Sequence, residues 1–105
     1  MNFVIVLSTA GKIEDAEKIA EELVGKRLAA CVNIVPAIHS IYRWNDAVQK
    51  DNEVLMIIKT EREKFSIVES TIRSLHSYEV PEIISFPLEN GSQGYLQWLE
   101  SSLSS

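Results

Sequence analysis

Three features of the 105-residue sequence predict an α+β fold: an apolar run before each of two segments of helical periodicity, and an Asn45-Asp46 turn dipeptide joining two long extended segments. The implied order is βαββαβ followed by a further helix. Two split βαβ units folded into one antiparallel sheet give the ferredoxin-like sandwich, with helices on one face. Residues 1–105 are expected to form one domain. The chain carries no internal linker, repeat or low-complexity segment apart from its serine-rich end.

Phe3 to Leu7 is a continuous β-type run, as for a strand covered on both faces. After the break at Gly11, Ile13, Ala16, Ile19, Ala20, Leu23 and Val24 recur at helical spacing. Glu14, Asp15 and Glu17 occupy its first turns, where the helix dipole favours negative charge, and Gly25 suits the position just past its end. Leu28 to Trp44 reads as extended, interrupted by Pro36, and Asn45-Asp46 turns it back. The return strand runs from about Ala47 to Thr60, with Asp51-Asn52 marking a bulge. Thr60 and Glu63 have the T-x-x-E spacing of a capping box, ahead of a helix carrying Phe65, Val68, Ile72 and Leu75. A strand from Glu82 to Leu88 follows the Pro81 break. Asn90-Gly91 then leads into a last helix with Leu96, Leu99 and Leu103.

The first hairpin strand sets a length problem. Leu28 to Trp44 spans roughly 55 Å when fully extended, whereas a compact domain of this size is only about 33 Å across. The hairpin must bend, with Pro36 the natural place, or project beyond the core. A projecting hairpin carrying Ile38, Ile41, Tyr42 and Trp44 exposes apolar surface and strand edges that invite another chain. A homo-oligomer joined through this hairpin is therefore expected.

Net charge is −5, with no run of lysine or arginine, so nucleic acid and anionic membranes are poor partners. No apolar stretch reaches the ~18 residues of a membrane span. The first residues lack the basic flank of a signal peptide, and one cysteine closes no internal disulfide. A cytoplasmic protein is the expectation.

Few residues are chemically conspicuous. Cys31 fits a small buried hydrophobe or a soft metal ligand. His76 ends the second helix, where it can cap free carbonyls or join Tyr78, Glu79 and Glu82 in a polar site. His39 lies in the hairpin and reads as a surface or interface residue. Glu79 and Glu82 flank Val80-Pro81, which forbids a regular helix, so the pair is weak evidence for two-carboxylate catalysis. No nucleophile elbow, phosphate loop or paired-ligand zinc motif occurs. The residues alone define no reaction.

Three segments taken together, "LAACVNIVPAIHSIYRW", "EVLMIIKT" and "HSYEVPEIISFPLENGSQGYLQWL", closely resemble the CutA family of divalent-cation tolerance proteins. The likeness runs from "VIVLSTA" to "YLQWL". It implies a homotrimer with long hairpin strands joining its subunits, a PII-like assembly in the cytoplasm, associated with copper and other divalent metals. No obligatory cofactor and no enzymatic reaction are implied. Cys31 matches the A-C-V-N position, Tyr42 and Trp44 match Y-x-W, and Lys59 and Thr60 match K-T. His76, Tyr78, Pro81 and Glu82 match H-P-Y-x-x-P-E, and Tyr95 and Trp98 match Y-L-x-W. The candidate metal ligands are thus His76 and Cys31, and Tyr42 and Trp44 are candidate interface residues. Tyr78, Glu79, Glu82 and Lys59 are candidates to line an inter-subunit cleft.

The chain departs from the family at Ser77, which replaces a proline, and at Asp46, which replaces a turn glycine. Ser8 and Leu75 stand where some copper-binding members carry cysteine and a second histidine. Of that ligand set His76 alone is present. A metal-responsive trimer is the first functional reading; a PII-like small-molecule sensor and a purely structural or interaction trimer are the alternatives.

Overall fold

The structure is a computed structural model and describes residues 2–104. Its elements are β1 (Phe3–Ala10), α1 (Ile13–Gly25), β2 (Cys31–Trp44), β3 (Ala47–Glu61), α2 (Phe65–Leu75), β4 (Ile83–Pro87) and α3 (Gln93–Leu103). A short 3₁₀ turn, Arg62–Lys64, joins β3 to α2. The sheet order is β2-β3-β1-β4 with every neighbouring pair antiparallel, the ferredoxin-like arrangement.

Side-chain alternation divides the sheet. Val4, Val6 and Ala10 of β1 join Val54, Met56 and Ile58 of β3 under the apolar stripes of α1 (Ala16, Ile19, Leu23) and α2 (Val68, Ile72). Each fully buried Ile or Leu here contributes roughly 1.5–3 kcal/mol by leaving water. Ser8 shares this buried face, and its Oγ has no hydrogen-bond partner among the described residues. The opposite face is only partly covered. The helix α3 closes one end of it, packing Leu99 and Leu103 with Ala30, Phe3 and Leu88. Helices therefore lie on both sides: α1 and α2 on one, α3 across a corner of the other. Elsewhere the open face carries Ile84 and Phe86, about half exposed, beside Leu7 and Ile5. The strand β1, expected to be covered on both faces, is sealed on the helix side, while Leu7 on the other is only partly buried.

The hairpin settles the length problem by doing both things. The strand β2 bulges between Val35 and Ile38, so Pro36 and Ala37 together face one residue of β3. Proline supplies no N–H to the ladder, and the bulge removes the need for one. The arm still projects, and the molecule measures 44 × 25 × 22 Å. Asn45 (φ 50°) and Asp46 (φ 60°) form the two-residue turn, both left-handed as a type I′ hairpin requires.

Four local expectations are corrected. The bulge lies at Pro36, not at Asp51-Asn52, which pair in regular register with Ser40 and His39. Thr60 forms no capping box. It is still within β3, and its hydroxyl donates to the Leu28 carbonyl at 2.6 Å, tying the chain after α1 to the sheet. Gly25 is the last residue of α1 rather than the residue past its end; the left-handed residue is Arg27, φ 58°. His76 caps no carbonyl of α2, because its ring reaches β1 instead.

Candidate functional site

His76 fixes the start of the segment between α2 and β4. Its backbone leaves the helix (φ −83°, ψ 142°), which turns the ring toward β1. Nε2 lies 2.6 Å from the Thr9 carbonyl oxygen, and Nδ1 accepts the backbone N–H of Tyr78 at 3.0 Å. A carbonyl only accepts, so Nε2 carries the proton and Nδ1 does not. Both ring nitrogens are occupied by the fold, and the ring also stacks obliquely on Tyr78, centroids 4.7 Å apart.

Held in this way, Tyr78 extends toward the hairpin. Its hydroxyl donates to Glu53 Oε2 at 2.8 Å. Gly11 gives it room: a methyl group there would stand 3.3 Å from the phenol oxygen. On the hairpin itself, the Tyr42 hydroxyl donates to Asp51. Between the two lies a cleft of about 770 Å³, lined on one side by His39 to Tyr42, Trp44 and Glu53, and on the other by Tyr78 to Glu82. Pro81 is buried and anchors that second wall.

Burial raises the Tyr78 phenol above the usual tyrosine range, and the adjoining Glu53 carboxylate raises it further by accepting its proton in a hydrogen bond. Tyr42 is shifted upward too, chiefly by its bond to Asp51. An unfolded tyrosine ionises near pH ~10, so the Tyr78–Glu53 bond contributes fully below that value. Its contribution is lost as pH rises through the higher folded-state value. Thermal melts from about pH 8 to about pH 12 should therefore show a shallower alkaline decline for Tyr78→Phe than for the wild type. Parallel curves would refute the role given to this bond.

A second polar group sits on the open face. Lys59 Nζ donates to Asn33 Oδ1 at 2.7 Å and lies 5.6 Å from the Tyr95 ring centroid. Cys31, directly opposite Lys59 in register, points its thiol at the same Asn33 oxygen, 3.7 Å away. The Lys59 partner on β1 is Ile5, whereas His76 is bound to Thr9, about 13 Å further along the strand. Within one chain, then, Tyr78, Glu79 and Glu82 come together, while Lys59 and Cys31 lie elsewhere. Tyr42 and Trp44 line the same cleft.

The residues do not fit a metal centre in a single chain. The soft donor Cys31 is remote from His76, whose nitrogens are both engaged. Among the described residues no group of three or more His, Cys, Asp and Glu is placed to hold an ion. Glu53 and Asp51 were missed in the sequence. Their roles depend on which side chains sit beside Tyr42 and Tyr78: Asp51 lies diagonally across from Tyr42 in the register that the Asn45-Asp46 turn sets, and Glu53 is reached by Tyr78 from outside the hairpin.

Sheet order, projecting hairpin and an unclosed apolar face define a ferredoxin-like protein with a cleft alongside its hairpin arm. The family model described as CutA1 divalent ion tolerance protein matches residues 4–102. The divalent-cation tolerance protein CutA of Thermus thermophilus is 45% identical over 98 residues, 93% of this chain and 95% of that protein. Human protein CutA is 49% identical over 84 residues, covering 80% of this chain and 47% of the longer human protein. Among solved structures, CutA1 of Oryza sativa superposes with a TM-score of 0.95 at 38% identity, covering 99% of this chain and 95% of that one. The chain belongs to the CutA1 divalent ion tolerance family.

Proposed function

We propose that this chain serves divalent-cation tolerance as a non-catalytic, cytoplasmic homotrimer, and that contact with copper or another divalent cation belongs to the assembly rather than to one chain. One observation carries the reading: the apolar surface left uncovered in the isolated chain. Ile41 (68% exposed), Trp44 (50%) and Val48 (61%) on the hairpin stand in water alongside Ile84 and Phe86. Patches of this kind mark association surfaces. The number three rests on the family likeness. The cytoplasmic setting rests on the same likeness, since a lone cysteine has no partner in its chain and reports no redox compartment.

In this reading His76 is a positioning residue for Tyr78, and cation contact falls to exposed carboxylates completed by a neighbouring copy. Sedimentation is expected to give a species of about three times the 11.8 kDa chain mass. Calorimetry with copper and zinc on the reduced protein should detect binding to that species, with His76→Ala unchanged provided it stays assembled. A single-chain mass at micromolar concentration, or a tight stoichiometric metal site in dissociated protein, would sink the proposal.

A further inference from the structure

We propose that Asn90 is a site of spontaneous covalent modification: the backbone nitrogen of Gly91 attacks its side-chain amide, ammonia leaves, and the residue ends as aspartate or isoaspartate. This goes beyond cation tolerance and depends on neither the homotrimer nor a bound ion. Asn90-Gly91 is the one Asn-Gly pair of the sequence, and it carries the chain from β4 into α3. Both residues are exposed, and residues 88–92 belong to no helix or strand. The connection is tied at its two ends: the Leu88 N–H donates to the Phe3 carbonyl at 2.9 Å, and the Leu96 N–H to the Ser92 carbonyl at 3.0 Å. Between them the Gly91 N–H donates to no protein acceptor among the described residues. Glycine has no Cβ to crowd the approach, and the two reacting groups are carried by adjacent residues, so the attack is intramolecular.

The chemistry needs only water. A bond forms between the Gly91 nitrogen and Asn90 Cγ, and the bond from Cγ to the amide nitrogen breaks. That nitrogen departs as ammonia with the proton released by Gly91, leaving a five-membered imide. Water then opens the ring, and no electrons change hands. Opening at the side-chain carbonyl gives aspartate. Opening at the main-chain carbonyl gives isoaspartate, whose backbone runs through the side chain and is longer by one methylene. Either product carries a new carboxylate, so the formal charge of −5 becomes one unit more negative.

Packing keeps the labile pair in place. A methyl group on Gly91 would stand 2.7 Å from Leu96 Cδ2 and 3.1 Å from its Cγ, and Leu96 packs against the cluster of Ala30, Leu99 and Leu103. Only glycine fits there without moving Leu96. The other asparagines lack this arrangement. Asn33 and Asn52 lie in ladder-paired strands, and Lys59 holds the Asn33 side chain. Asn2 and Asn45 precede Phe3 and Asp46, whose side chains crowd the attack. The two products differ in consequence. Aspartate brings negative charge close to the start of α3, whose first turn has no acidic residue, and the helix dipole favours it there. Isoaspartate lengthens the backbone between Leu88 and Gly91, both fixed by packing, and so loosens the seat of α3.

The test incubates the full chain, in its native assembly, in mildly alkaline buffer for several weeks. Peptide mass mapping is expected to place the exchange of amide for carboxylate at Asn90 first, with ammonia released in equal amount. An isoaspartyl methyltransferase supplied as reagent should label the same peptide. Asn90→Gln should slow the conversion roughly tenfold or more, because its longer side chain closes a less favourable ring. The isoaspartyl fraction, separated by ion exchange, should exchange its α3 amide hydrogens several-fold faster than fresh protein, and the aspartyl fraction should not. Conversion at Asn33 or Asn52 ahead of Asn90 would overturn the proposal. So would an Asn90 that stays intact while the same chain, unfolded in urea, converts, or an Asn90→Gln variant that releases ammonia as fast. Unchanged α3 exchange in the isoaspartyl fraction would overturn the consequence drawn for that helix.

Discussion

The Ile84→Asp/Phe86→Asp double variant is expected to sediment as a single chain of 11.8 kDa, while the wild type runs at about three times that mass. The strand β4 is an edge of the sheet, and these two side chains lie on its open face, paired with Leu7 and Ile5 of β1. At 53% and 48% exposure they add nothing to the helix-side core, so the chain should still fold. Buried against a neighbour, each unpaired aspartate would cost several kcal/mol, enough to dissociate the assembly at micromolar concentration. Ile67→Asp is the control: Ile67 is equally exposed (48%) but sits on α2, away from the open face, and its replacement should leave the mass unchanged. A double variant that keeps the wild-type mass would remove this face from the interface.

His76→Ala is expected to lower stability by about 2–3 kcal/mol, read from urea unfolding. Two hydrogen bonds go at once, each worth about 1 kcal/mol, and the part-buried Thr9 carbonyl loses the ring that bonds it. Tyr78 then loses the support that aims it at Glu53. Asparagine and glutamine divide the two functions. His76→Asn retains a short-range acceptor for the Tyr78 N–H, and His76→Gln retains a longer-reaching donor toward Thr9. Each should recover part of the loss, and neither all of it. An alanine variant as stable as the wild type would mean the clamp does not contribute to folding.

The architecture was legible because several signals agreed. The unbroken run at Phe3–Leu7, the six-position stripe of α1 and the Asn45-Asp46 dipeptide each report local physics, and all survive in the fold. What local reading missed was set by distant partners. Thr60 has the spacing of a helix cap, yet the Leu28 carbonyl claims its hydroxyl across the sheet edge. His76 sits where a helix-end cation belongs, yet β1 offers its ring a carbonyl 67 positions away. Glu53 carries no signature at all. It matters only because the course of residues 76–78, held by His76, brings Tyr78 to it. Cys31 and His76 looked like companions by chemistry, but the antiparallel register separates them along the strands.

The central place of β1 bears on how the chain is made. The strand β1 pairs with residues of β3 and β4, so it has no strand partner until Val54 has been synthesised, and no complete sheet until Pro87. The β2–β3 hairpin is different: its strands are joined by two residues and can zip from the tip outward as they emerge. A nascent chain thus exposes the apolar run at Phe3–Leu7 while its hairpin is already formed. That interval, rather than the finished fold, is when this protein is most vulnerable to aggregation.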